Sequence, residues 1–176
     1  MSYFWRSYRP MYKQKIAFIV FLGILAFSSC EKDDICVDGN TPLLVIRFYD
    51  NADTTLVKSV PNMVVRGIID QDSLLPIIAN VSGDSIAIPL RSDAGTTRFL
   101  ISQNPTPSDT TQVKVDTVTF NYVTKSLFVS RACGFIANYD ELQGDLGAEI
   151  EPWIQAINIV NPSIENSSSA HVKIFH

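Results

Sequence analysis

From Thr41 onward the chain repeats its apolar residues with a period of two, and no segment after Cys30 sustains a 3.6-residue stripe over three turns. Strands are therefore the elements from which a core must be built. Residues 43–49 (LLVIRFY) read as a largely buried strand, with residues 50–53 as the turn after it. Residues 62–69 (NMVVRGII) are rich in β-branched side chains and close at residues 70–73. In residues 85–90, Ile86, Ile88 and Leu90 share one face. Pro89 has no N–H for a ladder, which marks an edge strand or a bulge. Residues 96–102 (TTRFLIS) form another short strand. Val118, Phe120 and Tyr122 alternate with Thr117, Thr119 and Asn121, and the extended pattern resumes at residues 127–133 after Thr124-Lys125. That break predicts a hairpin. Residues 153–160 suit either a helical turn or a strand, residues 170–175 alternate, and residues 104–111 and 161–169 read as loops. Short strands between turn clusters predict an all-β fold, an antiparallel β-sandwich (immunoglobulin-like or related) of about seven to nine strands.

The N-terminus differs sharply from this body. Residues 1–15 carry Arg6, Arg9, Lys13 and Lys15 and no acid, residues 16–27 (IAFIVFLGILAF) are uncharged, and Ser28-Ser29-Cys30 follow. A positive segment, an apolar segment and small residues at a cut site, in that order, make a secretory signal. Twelve apolar residues in a helix reach roughly 18 Å, short of the ~30 Å hydrocarbon core that a spanning helix must cross. Met11 is a second credible start, since residues 11–15 already supply a positive segment. The expected organisation is a signal peptide at residues 1–29, an acidic tether at 30–41 and one domain at 42–176.

Charge divides at the same place. All 18 acidic residues lie at or after Glu31, against 10 of the 14 basic ones, a balance of −8 for the exported part. A surface so acidic has no general electrostatic attraction for nucleic acid. Anionic lipid would repel it too, so attachment to a membrane has to come from something other than overall charge.

Three cysteines remain to be assigned. Cys30 stands at the cut site. Cys36 and Cys133 are then an even pair in an oxidising compartment and are expected to form a disulfide, with two buried free thiols as the alternative. No CxxC is present and His171 and His176 are the only histidines, so no metal site and no cofactor are expected. Asp33, Asp34, Asp38 and Asn40 form an acidic group without the order of a calcium loop.

The chain has no GxSxG, HExxH or glycine-rich phosphate loop, so no catalytic residue is expected. Glu149 and Glu151 could pair for glycoside hydrolysis, but flanking Ile150 they read as a solvated face. Tyr122, Phe128, Tyr139 and Trp153 are expected in the core, with Trp153 or Tyr139 as a minority candidate for stacking a sugar.

Several short stretches resemble known signals. Phe27-Ser28-Ser29-Cys30 is similar to a lipobox, with Phe27 where a leucine-like residue is usual, which implies acylation of Cys30; ordinary signal cleavage is the alternative. Glu31, Lys32, Asp33 and Asp34 resemble the export signal of Bacteroidota surface lipoproteins. Asp followed by Ser or Thr is similar to the O-glycosylation sequon of those bacteria, and it recurs at Thr54, Ser73, Ser85, Thr110 and Thr117, with loop residue Thr110 foremost. Asp, Ser and Thr are also ordinary turn formers. Residues 30–36 (CEKDDIC), 44–50 (LVIRFYD), 120–134 and 171–175 (HVKIF) together resemble an uncharacterised lipoprotein family of the Bacteroidota, a domain of unknown function. The resemblance implies an outer-membrane location, more on the cell surface than on the periplasmic face, and a two-cysteine pattern, but no activity.

The leading expectation is a non-enzymatic module, held to the outer membrane by acyl chains, that binds glycan or an envelope protein or helps assemble it. A hydrolase acting on polysaccharide or peptide, and a purely structural spacer, are the alternatives.

Overall fold

The structure is a computed structural model that describes residues 15, 16, 18, 36, 39–69, 73–104, 106 and 108–176. Its described body is built from nine strands: β1 (Leu44–Tyr49), β2 (Val60–Ile68), β3 (Leu74–Gly83), β4 (Ser85–Ile88), β5 (Thr96–Gln103), β6 (Lys114–Ser130), β7 (Gly134–Leu146), β8 (Ala156–Ile159) and β9 (Val172–Phe175). A single 3-10 turn, Thr110–Gln112, precedes β6, with the Asp109 carboxylate accepting from the Thr111 N–H at its start. The strands make two sheets, β4-β1-β9-β8 and β3-β2-β5-β6-β7. All pairings are antiparallel except β1 with β9, the first strand lying parallel to the last. This is the β-sandwich that the period-two pattern predicts.

Alternation decides which side chains enter the core. From the four-stranded sheet come Leu44, Ile46 and Phe48, Ile86 and Ile88, and Val172 and Ile174. From the five-stranded sheet come Met63 and Val65, Phe99 and Ile101, Val118, Phe120 and Tyr122, and Ala137, Tyr139 and Leu142. β4 is an edge strand, as Pro89 just beyond its end implies.

Two bulges change the parity that a regular strand would keep. Asn62 has φ 43° and separates inward Val60 from inward Met63; Glu141 has φ 56° and separates inward Tyr139 from inward Leu142. A positive φ at one extra residue turns the following side chains to the opposite face, so both halves of each strand still feed the core.

Two sequence expectations are corrected, and the alternative left open at residues 153–160 is decided. Thr124-Lys125 is not a turn: β6 runs straight through it for 17 residues, and the chain reverses at residues 131–133. Gly134 opens β7 with φ 70°, a conformation glycine adopts at no steric cost. Residues 153–160 resolve into β8 preceded by an irregular stretch. Phe128 is not in the core, being 55% exposed.

Tyrosines fasten the connection between the sheets. Tyr139 Oη donates to the Leu90 carbonyl at 3.1 Å and Tyr122 Oη to the Arg91 carbonyl at 2.8 Å, both on the link from β4 to β5. Their rings meet edge to face with centroids 5.1 Å apart. Burial, then the neighbouring Tyr122, pushes the Tyr139 hydroxyl up to about 12. On the other side, Trp153 Nε1 donates to the Ile101 carbonyl at 3.1 Å. Both Tyr139 and Trp153 are buried, so neither can stack a sugar, contrary to the minority expectation.

Candidate functional site

The outward face of the five-stranded sheet holds a groove of ≈ 210 Å³. Its position follows from strand parity. Val65 and Gly67 point inward on β2, so Val64 and Arg66 point outward; Phe99 and Ile101 point inward on β5, so Leu100 and Ser102 point outward. The ladder sets Arg66 beside Leu100 and Val64 beside Ser102, and Ser102 faces Val115 of β6. Val64, Leu100, Val113 and Val115 give the groove an apolar floor, and Asn62, Asn80 and Asn104 rim it with carboxamides.

Some of these polar groups are already used. Asn62 Nδ2 donates to the Asn104 carbonyl at 2.9 Å, and Asn104 Oδ1 accepts from the Thr106 N–H at 3.1 Å. Asn62 Oδ1, Asn104 Nδ2 and the Asn80 amide have no protein partner among the described residues, and neither does the Arg66 guanidinium. Arg98 stands diagonally from Arg66 on the same face, one ladder step along, and is likewise without an ion pair among the described residues. Arg66 and Arg98, neither paired with a carboxylate among the described residues, give this face two guanidiniums of the kind that can donate to a carboxylate or phosphate. Among the described residues no carboxylate lines the groove.

Buried polar groups elsewhere act as fasteners. Asp116 Oδ2 accepts from the Ile154 N–H at 2.6 Å, holding the irregular stretch before β8 against β6. Burial raises the Asp116 carboxyl above its ordinary 3.8, and the N–H groups of Ile154 and Trp153 pull it back in part. His171 Nδ1 accepts from the Val45 N–H at 3.1 Å while its own backbone N–H donates to the Val45 carbonyl at 2.9 Å. That imidazole is neutral with its proton on Nε2, because Nδ1 is the acceptor.

The residues expected to carry function are scattered. Cys30, Glu31, Lys32, Asp33, Asp34 and Asp38 lie outside the described residues. Cys36 and Cys133 are joined in a disulfide. Thr54 and Thr110 are exposed, each following an Asp (53 and 109) whose carboxylate accepts from the N–H and hydroxyl of the second Thr. The same local turn thus leaves the middle hydroxyl pointing outward twice. Ser73 is exposed beside the undescribed residues 70–72, and Ser85 donates to the Ile46 carbonyl from the exposed side of β4. Thr117 is half-buried within β6 and donates to Glu149 Oε1 at 3.0 Å. Glu149 and Glu151 are exposed, and neither lines the groove. No group of three metal-ligating side chains occurs among the described residues, and none of the described helices is long and apolar enough to cross a membrane.

Residues 62–176 match the profile of a family of unknown function, DUF6452. The chain belongs to that family. The DUF6452 match begins inside β2 at its bulge residue Asn62 and takes in every later strand, while β1 and Cys36 precede it. It includes residues 120–134 and 171–175, two of the four stretches on which a family resemblance was read from the sequence. The nine described residues that line the groove all fall within the DUF6452 region. Comparison with curated proteins and with solved structures returns no match.

Proposed function

We propose that the protein is an exported lipoprotein, acylated at Cys30 and held at the outer membrane, on the cell surface through Glu31, Lys32, Asp33 and Asp34. Its sandwich serves as a non-enzymatic module that binds an acidic glycan in the groove over Arg66. One observation carries the binding reading: among the described residues, a concave, partly apolar seat contains a guanidinium and carboxamides without protein partners, the groups that take a sugar carboxylate and hydroxyls, and no carboxylate that could act as acid or base. Glycoside hydrolysis needs two carboxyl groups flanking one bond. Glu149 and Glu151, the two acids closest to such a pair in the sequence, are not among the residues lining the groove. Thr54 and Thr110, with their outward hydroxyls, are the best-presented places for O-linked glycan.

Two measurements test this. Cys30→Ala should release the protein from membranes into the soluble fraction, and continued retention contradicts the anchor. Titration of the Cys30→Ala chain with uronic-acid oligosaccharides should show binding that Arg66→Ala weakens by roughly ten- to a hundred-fold, the worth of a charge-assisted contact. Affinity unchanged by Arg66→Ala sinks the assignment of the groove.

A further inference from the structure

The distal part of the β6–β7 hairpin is unlike the rest of the surface. β5 accompanies β6 only as far as Asn121, and beyond the Tyr139–Ile164 bridge residues 126–130 pair with β7 alone as a two-stranded ribbon. At its end Phe128 faces Phe135 across the ladder, 55% and 69% exposed, with ring centroids 5.3 Å apart. Leu127, 50% exposed, lies next to Ile136 on the opposite face of the ribbon, because neighbouring residues of a strand point to opposite sides. Residues 126–136 (SLFVSRACGFI) hold one charge, the exposed Arg131, on a chain whose exported part is strongly acidic.

We infer that this hairpin tip is a second membrane contact, seated in the headgroup and upper acyl region of the bilayer to which the N-terminus is anchored. The inference rests on acylation of Cys30. A protein partner docked on a ribbon covers one face, whereas apolar side chains on both faces call for a surrounding apolar medium. Aromatic and aliphatic side chains with one adjacent cation suit the lipid interface, where Arg131 meets phosphate. The covalent path brings the tip there. Cys133 in the turn is bonded to Cys36, and Cys36 is six residues from Cys30, a distance of at most about 22 Å for extended chain. The disulfide therefore ties the exposed phenylalanines, and not the groove, to the anchored end.

The test uses the acylated full chain reconstituted in vesicles of phosphatidylethanolamine and phosphatidylglycerol, with brominated acyl chains as quencher. After leader removal Trp153 is the one remaining tryptophan, and it is buried in the sandwich, so it supplies an internal baseline. Phe135→Trp and Leu127→Trp report on the two faces of the ribbon. Expected in both is a blue-shifted added emission, quenched by brominated lipid well beyond the Trp153 baseline. Vesicle-bound protein whose added tryptophans stay unquenched overturns the tip contact and leaves the anchor standing. A blue shift without bromine quenching also overturns it, since it means the tips cover one another. Full chain recovered from cells with an unmodified Cys30, which then fails to float with vesicles, overturns the anchor and this inference together.

Discussion

His171 is buried where an imidazolium would lack water and would lose the lone pair that receives the Val45 N–H. Burial lowers its folded-state pKa below the ordinary 6.5, only partly offset by a contact to the Asn166 backbone. The sign follows from proton counting: below 6.5 the unfolded chain binds a proton that the folded chain refuses. Stability from this group is fully present above 6.5 and is lost as pH falls through that value toward the folded pKa. His176, also lowered by burial first of all, adds a loss of the same sign. Asp116 works the other way, since its raised folded pKa lets the folded chain gain stability as pH falls toward 3.8. The two histidines act at higher pH and can be isolated there. His171→Asn places an amide oxygen near the Nδ1 position without a titrating group. Urea midpoints taken just above and just below 6.5 should differ less in that variant than in the parent, with a residual slope from His176. An undiminished difference would mean His171 is not the acid-sensitive fastener.

At the scale of elements, the hairpin and its disulfide decide how the N-terminal end is secured. Cys36 and Cys133 are 97 positions apart, and the chain-entropy model assigns a loop near that length about 4.7 kcal/mol, with measured losses for native bonds of about 2–5. Gly39 lies against the bond. A Cβ there would sit 2.6 Å from Cys133 Cβ and 2.7 Å from each sulfur, closer than any real contact, so the chain or the bond must shift. Cys36→Ser with Cys133→Ser should therefore lower unfolding free energy by about 2–5 kcal/mol, and Gly39→Ala alone should lower the midpoint of thermal unfolding. A Gly39→Ala chain as stable as the parent would show that the crossing has room to spare. The period-two rule located β1, β2, β4, β5 and β9 because each has one buried and one wetter face. It missed β3, an edge strand with Pro76 and shifting register, and β7, where the Glu141 bulge scrambles the alternation. Thr124-Lys125 imitated a turn because that part of β6 overhangs its neighbour β5 and is solvated, and polarity there reports exposure instead of chain reversal. Phe128 misled for the same reason. The disulfide was legible from parity of cysteines. The groove was not, because Asn62, Arg66, Asn80, Ser102 and Asn104 are individually bland and only register brings them together.

Over the whole molecule the stability hinges on the last strand. β9 is an interior strand of the four-stranded sheet, with β1 parallel on one side and β8 antiparallel on the other. Val172 and Ile174 are fully buried and lie in register with Ile46 and Phe48. Burying two such side chains contributes about 3–6 kcal/mol before any ladder hydrogen bond is counted, against a total of about 5–15 for an ordinary domain. Without β9, β8 has no partner in its sheet, and the backbone of β1 on that side faces nothing. By contrast, residues 36–176 already form one compact unit by themselves. The two ends should respond oppositely to trimming. A chain beginning at Cys36 should melt cooperatively close to the parent, while one ending at His171 should lose its near-ultraviolet dichroism and its sharp transition. Cooperative melting of the C-terminally trimmed chain would mean that the parallel pairing of first and last strands is dispensable, and that the five-stranded sheet with β1 and β4 suffices as the folding unit.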